Sequence, residues 1–215
     1  MTAGAVSVGS VRPTDEAITR HHVDTRPDSD AWVDGYVQTR YVIRVVEYDD
    51  TWPATFQGVA AVVREALGAR VIELHHVGST SVVGLPAKPV IDVDLVVAYP
   101  ADESSYVPDL VAAGFQHAIR EPWWHEHRLL KLGDPVTHLH VFGPGCPEVV
   151  RHLMFRQWLR DHPDDLAAYA EAKRTAAAEM NARPGGGTGM DYNRHKQPVV
   201  RDIYDRMFRA HGLLR

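Results

Sequence analysis

The stretch HHVGSTSVVGLPAKPVIDVDLVV, residues 75–97, places two aspartates inside an otherwise apolar segment. Asp92 and Asp94 alternate there with isoleucine, valine and leucine. In a β-strand, residues two apart project to the same face, so the two carboxylates share one side of the predicted strand. Burying a carboxylate is costly, and two neighbouring carboxylates also repel each other. A divalent cation is a common compensation, so the pattern predicts a metal-binding strand.

A Gly-Ser turn precedes this strand. Gly78 and Ser79 follow the segment 71–77, which predicts a strand that ends at the turn. Backbone N–H groups and a hydroxyl in such a turn can bind a phosphate. Lys88, four residues before Asp92, would add a positive charge near the phosphates, although a solvated lysine before a proline is an equal alternative. The turn and the strand together predict a metal–nucleotide site.

The composition is that of an ordinary globular protein, and the length fits one α/β domain. The 215 residues are 45% hydrophobic and 24% charged, and the formal net charge of −5 disfavours nucleic acid as a partner. The single cysteine, Cys146, excludes an internal disulfide and fits a reducing compartment. No apolar segment is long enough to span a bilayer, and the N-terminus lacks the pattern of a secretory signal. We therefore expect a cytoplasmic protein with no membrane partner.

Three regions follow from the pattern along the chain. Residues 1–38 are rich in Ser, Thr, Asp, Pro and His, which predicts a mobile N-terminal extension. Residues 39–146 form the predicted core, and residues 147–215 form a predicted helical region packed on it. Strands are predicted at 41–46, 71–77, the aspartate segment, 128–132 and 137–142, and helices at 51–67, 108–113, 148–160, 163–180 and 198–210. This order predicts an α+β fold with a helical C-terminal cap, whose exposed apolar face would permit an oligomer.

A family resemblance rests on these same motifs. Gly-Ser followed by Asp-x-Asp on the next strand resembles the nucleotidyltransferase superfamily of the DNA polymerase β type. The longer string HVGSTSVVGLPAKPVIDVDLVV, with EYDDTWPATF, THLHVFGPGCPE, HLMFRQWLRDHPDDLAAYAEAKR and DYNRHK, resembles the GrpB family, also called UPF0157. The resemblance covers roughly residues 41–210 and omits the N-terminal extension and the glycine-rich loop at 185–189. It implies a nucleotidyltransferase-like mixed β-sheet flanked by helices.

The resemblance also implies a reaction at a nucleotide α-phosphate. Asp92 and Asp94 would bind Mg²⁺, and Gly78 and Ser79 would hold the β- and γ-phosphates of ATP or another NTP. Pyrophosphate would leave as the nucleotidyl group passes to a small-molecule acceptor. Nucleotide-driven ligation, in which an amine captures an adenylated carboxylate, would use the same residues.

One departure from the superfamily concerns its third carboxylate. The corresponding strand, 137–142, offers His138 and His140 instead, as GrpB sequences do. Histidine can act as a base or ligate a metal, but it lacks the negative charge that Mg²⁺ prefers. Three interpretations stay open: His140 serves as the base, a distant acid joins the site, or the protein is a catalytically silent nucleotide- or small-molecule-binding accessory module. Zinc hydrolysis is disfavoured, because WWHEHR at 123–128 lacks the helical His-Glu-x-x-His spacing.

Lys173 lies on an apolar stripe of the predicted helix 163–180. A lysine on such a face either reaches out to solvent or meets an anion. In this setting we predict contact with a phosphate or carboxylate of the substrate.

Overall fold

The computed structural model describes residues 12–22, 26–33 and 35–215. The five strands in these ranges form one sheet. They are β1 (Glu73–Val77), β2 (Ile91–Val96), β3 (Gln116–Glu121), β4 (His127–Gly133) and β5 (Val136–Phe142), in the spatial order β1-β2-β5-β4-β3. The central pair β2 and β5 is parallel and the other pairs are antiparallel, so the sheet is mixed.

Six α-helices accompany the sheet in the described part of the chain. They are α1 (Asp15–Thr19), α2 (Trp52–Leu67), α3 (Val107–Ala112), α4 (Pro147–Asp161), α5 (Pro163–Asn181) and α6 (Gly189–Ala210). The last three form the C-terminal helical region, so the predicted α+β fold with a mixed, helix-flanked sheet and C-terminal helices is confirmed. Within the described ranges, none of the helices combines the length and apolarity that crossing a bilayer requires.

One face of the sheet packs into the main hydrophobic core. Helix α2 begins beside Pro53, ends at Gly68 with φ 55°, and buries one stripe of its surface. That stripe consists of Trp52, Phe56, Val59, Ala60, Val63 and Leu67, which pack with Ile91, Val93, Leu95, Leu139 and Val141 of the central strands. Each fully buried aliphatic or aromatic side chain contributes about 1.5–3 kcal/mol relative to exposure. This burial fixes which face of β2 is left for the aspartates.

The opposite face of the sheet is polar at its centre. The parallel pairing of β2 and β5 places Asp92 beside His138 and Asp94 beside His140. The antiparallel pairing of β4 and β5 places Lys131 on the other side of His138. Because alternate residues of neighbouring strands share a face, all five side chains belong to the same surface of the sheet.

The N-terminal segment packs on the domain where it is described, in contrast to the mobile extension expected up to residue 38. Helix α1 is capped by Thr14, whose side chain accepts a hydrogen bond from the backbone N–H of Ala17. Ile18 is wholly buried among side chains of α4, α5 and α6, and such a contact opposes free motion. Trp32 forms an isolated β-bridge with Ile119. Residues 1–11 of the predicted extension lie outside the described residues.

Three local predictions were wrong. The described stretch 41–46 is not a strand and makes only isolated bridges, from Tyr41 to Gly187 and from Val46 to Ala87. Strand β3 was not predicted, because its sequence QHAIRE is largely polar. Helix α6 begins at Gly189 rather than 198, because Thr188 and Asp191 form a reciprocal capping box.

Candidate functional site

A cleft of about 590 Å³ opens over the polar face of the sheet. Its lining comes from the N-terminal segment, the strands, the Gly-Ser turn and all three C-terminal helices. Among the residues that line it are Trp32, Tyr36, Gly78, Ser79, Lys88, Asp92, Trp123, Lys131, His138, His140, His152, Lys173, Tyr192 and Lys196. The predicted residues Gly78, Ser79, Lys88, Asp92, His140 and Lys173 therefore border one cavity, whereas Asp94 lies beneath it with no exposed surface.

The Gly-Ser turn lies directly against Asp92. Gly78 has φ 64° and ψ −165°, a conformation that is essentially restricted to glycine. A Cβ atom at this position would lie 2.3 Å from Oδ2 of Asp92. Ser79 then begins the short 3₁₀ helix Ser79–Ser81, which is fixed because Ser81 donates a hydrogen bond of 2.6 Å to the carbonyl of Gly78. Glycine at 78 thus allows the turn and the carboxylate to share one corner of the cleft.

Asp92 forms a compact cluster with the two histidines of β5. One ligand atom from each of Asp92, His138 and His140 lies within 4.8 Å of the other two. Oδ1 of Asp92 is 3.3 Å from Nδ1 of His138. Burial raises the pKa of Asp92, but the hydrogen bond and charge of His138, with His140 and Lys88, lower it to about 2. The carboxylate is therefore ionised at neutral pH and available to a cation.

Two side chains, Glu121 and His127, orient His140 through consecutive hydrogen bonds. Oε2 of Glu121 lies 2.7 Å from Nδ1 of His127, and Nε2 of His127 lies 3.0 Å from Nδ1 of His140. Burial lowers the pKa of both imidazoles to about 3, so each is neutral and carries one ring proton. The carboxylate accepts from Nδ1 of His127, whose Nε2 then accepts from Nδ1 of His140. This assignment leaves Nε2 of His140 unprotonated, as a ligand or base requires.

Asp94 forms an ion pair with a histidine from the helical region. Its Oδ2 lies 2.8 Å from Nδ1 of His152 on α4. Burial lowers the pKa of His152, but the charge and hydrogen bond of Asp94 raise it to about 9, so the imidazole is protonated. Oδ1 of Asp94 is buried and has no hydrogen-bond partner among the described residues. Such an oxygen is costly unless a cation or another donor satisfies it.

Three lysines converge on the cleft beside the Gly-Ser turn, and we call Lys88, Lys173 and Lys196 the lysine cluster. Lys173 is wholly buried, donates to the carbonyl of Pro86 at 2.9 Å, and lies 4.4 Å from the ring centre of Tyr169. Burial and the neighbouring charges of Lys196 and Lys88 lower the pKa of Lys173 well below its usual value. A bound anion would raise the pKa of Lys173 again and relieve the repulsion among the three ammonium groups, so this corner is receptive to an anion.

Sequence reasoning missed three of the side chains that complete this site. Glu121, His127 and His152 come from β3, β4 and α4, and no local spacing ties them to the aspartates. His76, which precedes the turn, stacks on Phe56 at 4.7 Å between ring centres, on the face of the sheet opposite the cleft.

Comparison with known proteins places these features in a family. The model of the GrpB protein family matches residues 42–206. A UPF0157 protein of Halalkalibacterium halodurans is 49% identical over 135 residues, which are 63% of this chain and 69% of that protein. A dephospho-CoA kinase of Mycolicibacterium paratuberculosis is 30% identical over an alignment of 194 positions that covers 78% of this chain but only 46% of the kinase.

A solved structure of a GrpB protein shows the same fold. The crystal structure of the conserved protein GrpB from Enterococcus faecalis superposes with a TM-score of 0.67 and 24% identity, over 79% of this chain and 99% of that chain. A more distant likeness, with a TM-score of 0.40 and 14% identity over 63% of this chain and 44% of the other, extends to Cid1 in complex with the UTP analogue UMPNPP. Since the family model spans most of the sequence, the chain belongs to the GrpB family.

Proposed function

We propose that the protein binds a nucleoside triphosphate in the cleft and transfers its nucleotidyl group to a small-molecule acceptor. ATP is the nucleotide used to test this proposal. The observation that carries the proposal is the lysine cluster beside the Gly78–Ser79 turn and the Asp92–His138–His140 group. The charges of Lys196 and Lys88 lower the pKa of Lys173, and the charge of Asp92 opposes them. A triphosphate would neutralise these cations and would reach from the turn to Asp92.

The residues at Asp92 fit a divalent cation. Asp92 offers oxygen and His138 offers an imidazole nitrogen in one cluster, whereas the unpartnered Oδ1 of Asp94, the second predicted ligand, lies outside that cluster. Mg²⁺ prefers oxygen ligands, whereas Mn²⁺ and Zn²⁺ accept imidazole more readily, so we expect the site to bind Mn²⁺ at least as well as Mg²⁺. When bound, the cation would neutralise charge on the phosphates.

His140 is proposed as the base. The acceptor's hydroxyl or amine forms a bond to the α-phosphorus while the bond from that phosphorus to its bridging oxygen breaks, and pyrophosphate leaves. The acceptor's proton moves to Nε2 of His140. Because Nδ1 of His140 already donates to His127, and His127 to Glu121, the positive charge can pass toward the carboxylate of Glu121. This relay offsets the low pKa that burial imposes on His140 alone.

The test is pyrophosphate release from ATP with pooled hydroxyl- and amine-bearing acceptors. We expect release by the wild-type protein and a loss of at least 100-fold in Asp92→Asn. His140→Gln separates two roles of His140. If His140 is the base, the variant keeps metal binding and loses turnover; if His140 is a metal ligand, the variant loses both.

A second candidate is nucleotide binding without transfer. It draws on the match to less than half of a dephospho-CoA kinase, in which a GrpB-like segment accompanies another enzyme. Tight binding of ATP with no pyrophosphate release, for any acceptor pool, would favour this binding module over the transferase.

A further inference from the structure

Part of the cleft lies beyond His138 and is not used by the proposed triphosphate and cation. It is bordered by Lys131, Leu129 and Ile119 on the sheet and by Trp32, Tyr36 and Trp123 at the sides, and we call it the acceptor subsite. The structure assigns it to a small organic acid with a planar, apolar body, an inference that rests on the proposed function for its role as acceptor.

Lys131 supplies the charge of the acceptor subsite. Its Nζ donates to the hydroxyl of Tyr36 and lies 4.8 Å from the centre of that ring. Among the residues that the structure describes, no carboxylate forms a salt bridge with Lys131. An ammonium group that is held in a cleft by a neutral hydroxyl and an aromatic ring retains its attraction for an anion.

The side walls of the acceptor subsite are aromatic. Trp32 and Tyr36 meet edge to face with ring centres 6.4 Å apart. The β-bridge from Trp32 to Ile119 ties this wall to the sheet. On the other side, the guanidinium of Arg26 lies 4.3 Å from the ring centre of Trp123, which adds a second cation near an aromatic face. Flat apolar groups pack well between such rings, whereas a flexible polar ligand would leave them uncovered.

The position of Lys131 selects between the two reactions. Lys131 lies beside His138, and His138 beside Asp92, so Lys131 and Asp92 are two strands apart. Adjacent strands are separated by about 4.8 Å, which puts the two backbone positions about 10 Å apart. An acid group held at Lys131 is thus remote from the α-phosphate, and a hydroxyl or amine elsewhere on the same molecule is the group that reacts. The subsite therefore favours nucleotidyl transfer over ligation through an adenylated carboxylate.

The experiment measures binding of 4-fluorophenylacetate by fluorine NMR, with 4-fluorophenylacetamide as its neutral counterpart. We expect the acid to bind at least tenfold more tightly than the amide. Lys131→Met should weaken acid binding by about tenfold or more and leave amide binding unchanged. Lys131→Arg should retain acid binding, since it keeps the cation, and Arg174→Met should have no effect because Arg174 pairs with Glu47 outside the cleft.

Binding of tripolyphosphate, measured on the same samples, separates this inference from the proposed function. Acid binding that depends on Lys131, without any tripolyphosphate binding, would support the acceptor subsite and contradict the proposed nucleotide binding. Tripolyphosphate binding together with acid binding that is absent, or equal in wild type and Lys131→Met, would overturn the acceptor subsite. Circular dichroism melting shows whether each variant is folded. If Lys131→Met is unfolded, the relative affinity of Lys131→Arg for the acid and the amide takes the place of its result.

Discussion

Nδ1 of His152 lies 2.8 Å from Oδ2 of Asp94, and this ion pair joins helix α4 to the central strand β2. The aspartate side chain has no exposed surface, whereas the histidine side chain is 26% exposed. A carboxylate enclosed in this way is tolerated because a protonated imidazole faces it. The pair therefore connects the C-terminal helices to the strand that carries the candidate site.

Removal of His152 should destabilise the protein more than removal of both partners. His152→Ala leaves the buried Asp94 carboxylate without its cation, and we expect the free energy of unfolding to fall by about 3 kcal/mol. The double variant Asp94→Asn/His152→Gln removes both charges and should lose less. Urea denaturation measures all of these values. Equal losses in the single and double variants would show that the charge pairing is not the cause.

Three histidines with shifted pKa values should make stability depend on pH in opposite ways above and below about pH 6.5. Above it, the raised pKa of His152, about 9, means that the folded state holds a proton that the unfolded state releases near pH 6.5, so the stability that this ion pair contributes falls as the pH rises toward 9. Below it, His127 and His140, with pKa values lowered to about 3, stay neutral in the folded state while the unfolded state binds protons, so stability falls as the pH drops below 6.5.

Chemical denaturation across pH 5–9 measures this profile. The variant His152→Gln should flatten its alkaline side and leave the acidic side unchanged. An unchanged pH dependence between pH 7 and pH 9 in the double variant Asp94→Asn/His152→Gln would contradict the ion pair.

Gly78→Ala should disturb Asp92 beyond the ordinary cost of a positive φ. The added Cβ would lie 2.3 Å from Oδ2 of Asp92, so the carboxylate or the turn must move. Gly84→Ala is the matched control, because Gly84 has φ 79° and nothing within 4 Å of an added Cβ. We expect about 1–3 kcal/mol of destabilisation for either substitution from the backbone alone, but a loss of Mn²⁺ binding only for Gly78→Ala. Unchanged Mn²⁺ affinity in Gly78→Ala would separate the turn from the metal site.

Lys88→Met should weaken tripolyphosphate binding about tenfold, a change that corresponds to about 1.4 kcal/mol. Lys88 lines the cleft and lies 4.9 Å from the ring centre of Tyr192, next to the other members of the lysine cluster. Arg64→Met serves as the control, because Arg64 is an exposed cation on α2. Calorimetry at two salt concentrations should also show a weaker salt dependence for Lys88→Met. Identical affinities for the two variants would exclude Lys88 from the phosphate site.

His138→Gln should lower the affinity for Mn²⁺ by at least tenfold and change the affinity for Mg²⁺ less. The reason is that an imidazole nitrogen favours Mn²⁺ over Mg²⁺, and His138 is the imidazole next to Asp92. His75→Gln is the control, since His75 pairs with Glu73 instead. Calorimetric titration without nucleotide measures the affinity of each variant for Mn²⁺ and for Mg²⁺. A preference of the wild-type site for Mg²⁺, unchanged by the substitution, would indicate that the aspartates alone bind the metal.

The local sequence determined the parts of this protein that depend on neighbouring residues. The alternation around Asp92 and Asp94 predicted a strand with both carboxylates on one face, and the apolar spacing in 51–67 predicted α2. The same reasoning failed at α6, where Thr188 and Asp191 begin a helix ahead of the pattern, and at β3, whose polar sequence pairs with β4 at the sheet edge.

Tertiary structure alone decided which side chains meet in the cleft. The parallel register of β2 and β5 puts His138 beside Asp92, and the packing of α4 brings His152 to Asp94 across 58 residues of sequence. The lysine cluster likewise assembles from a loop and two helices. A short window of sequence records periodicity, because adjacent residues set local backbone preferences. It does not record which distant element will bury a given face, since that depends on the free energy of packing the whole chain.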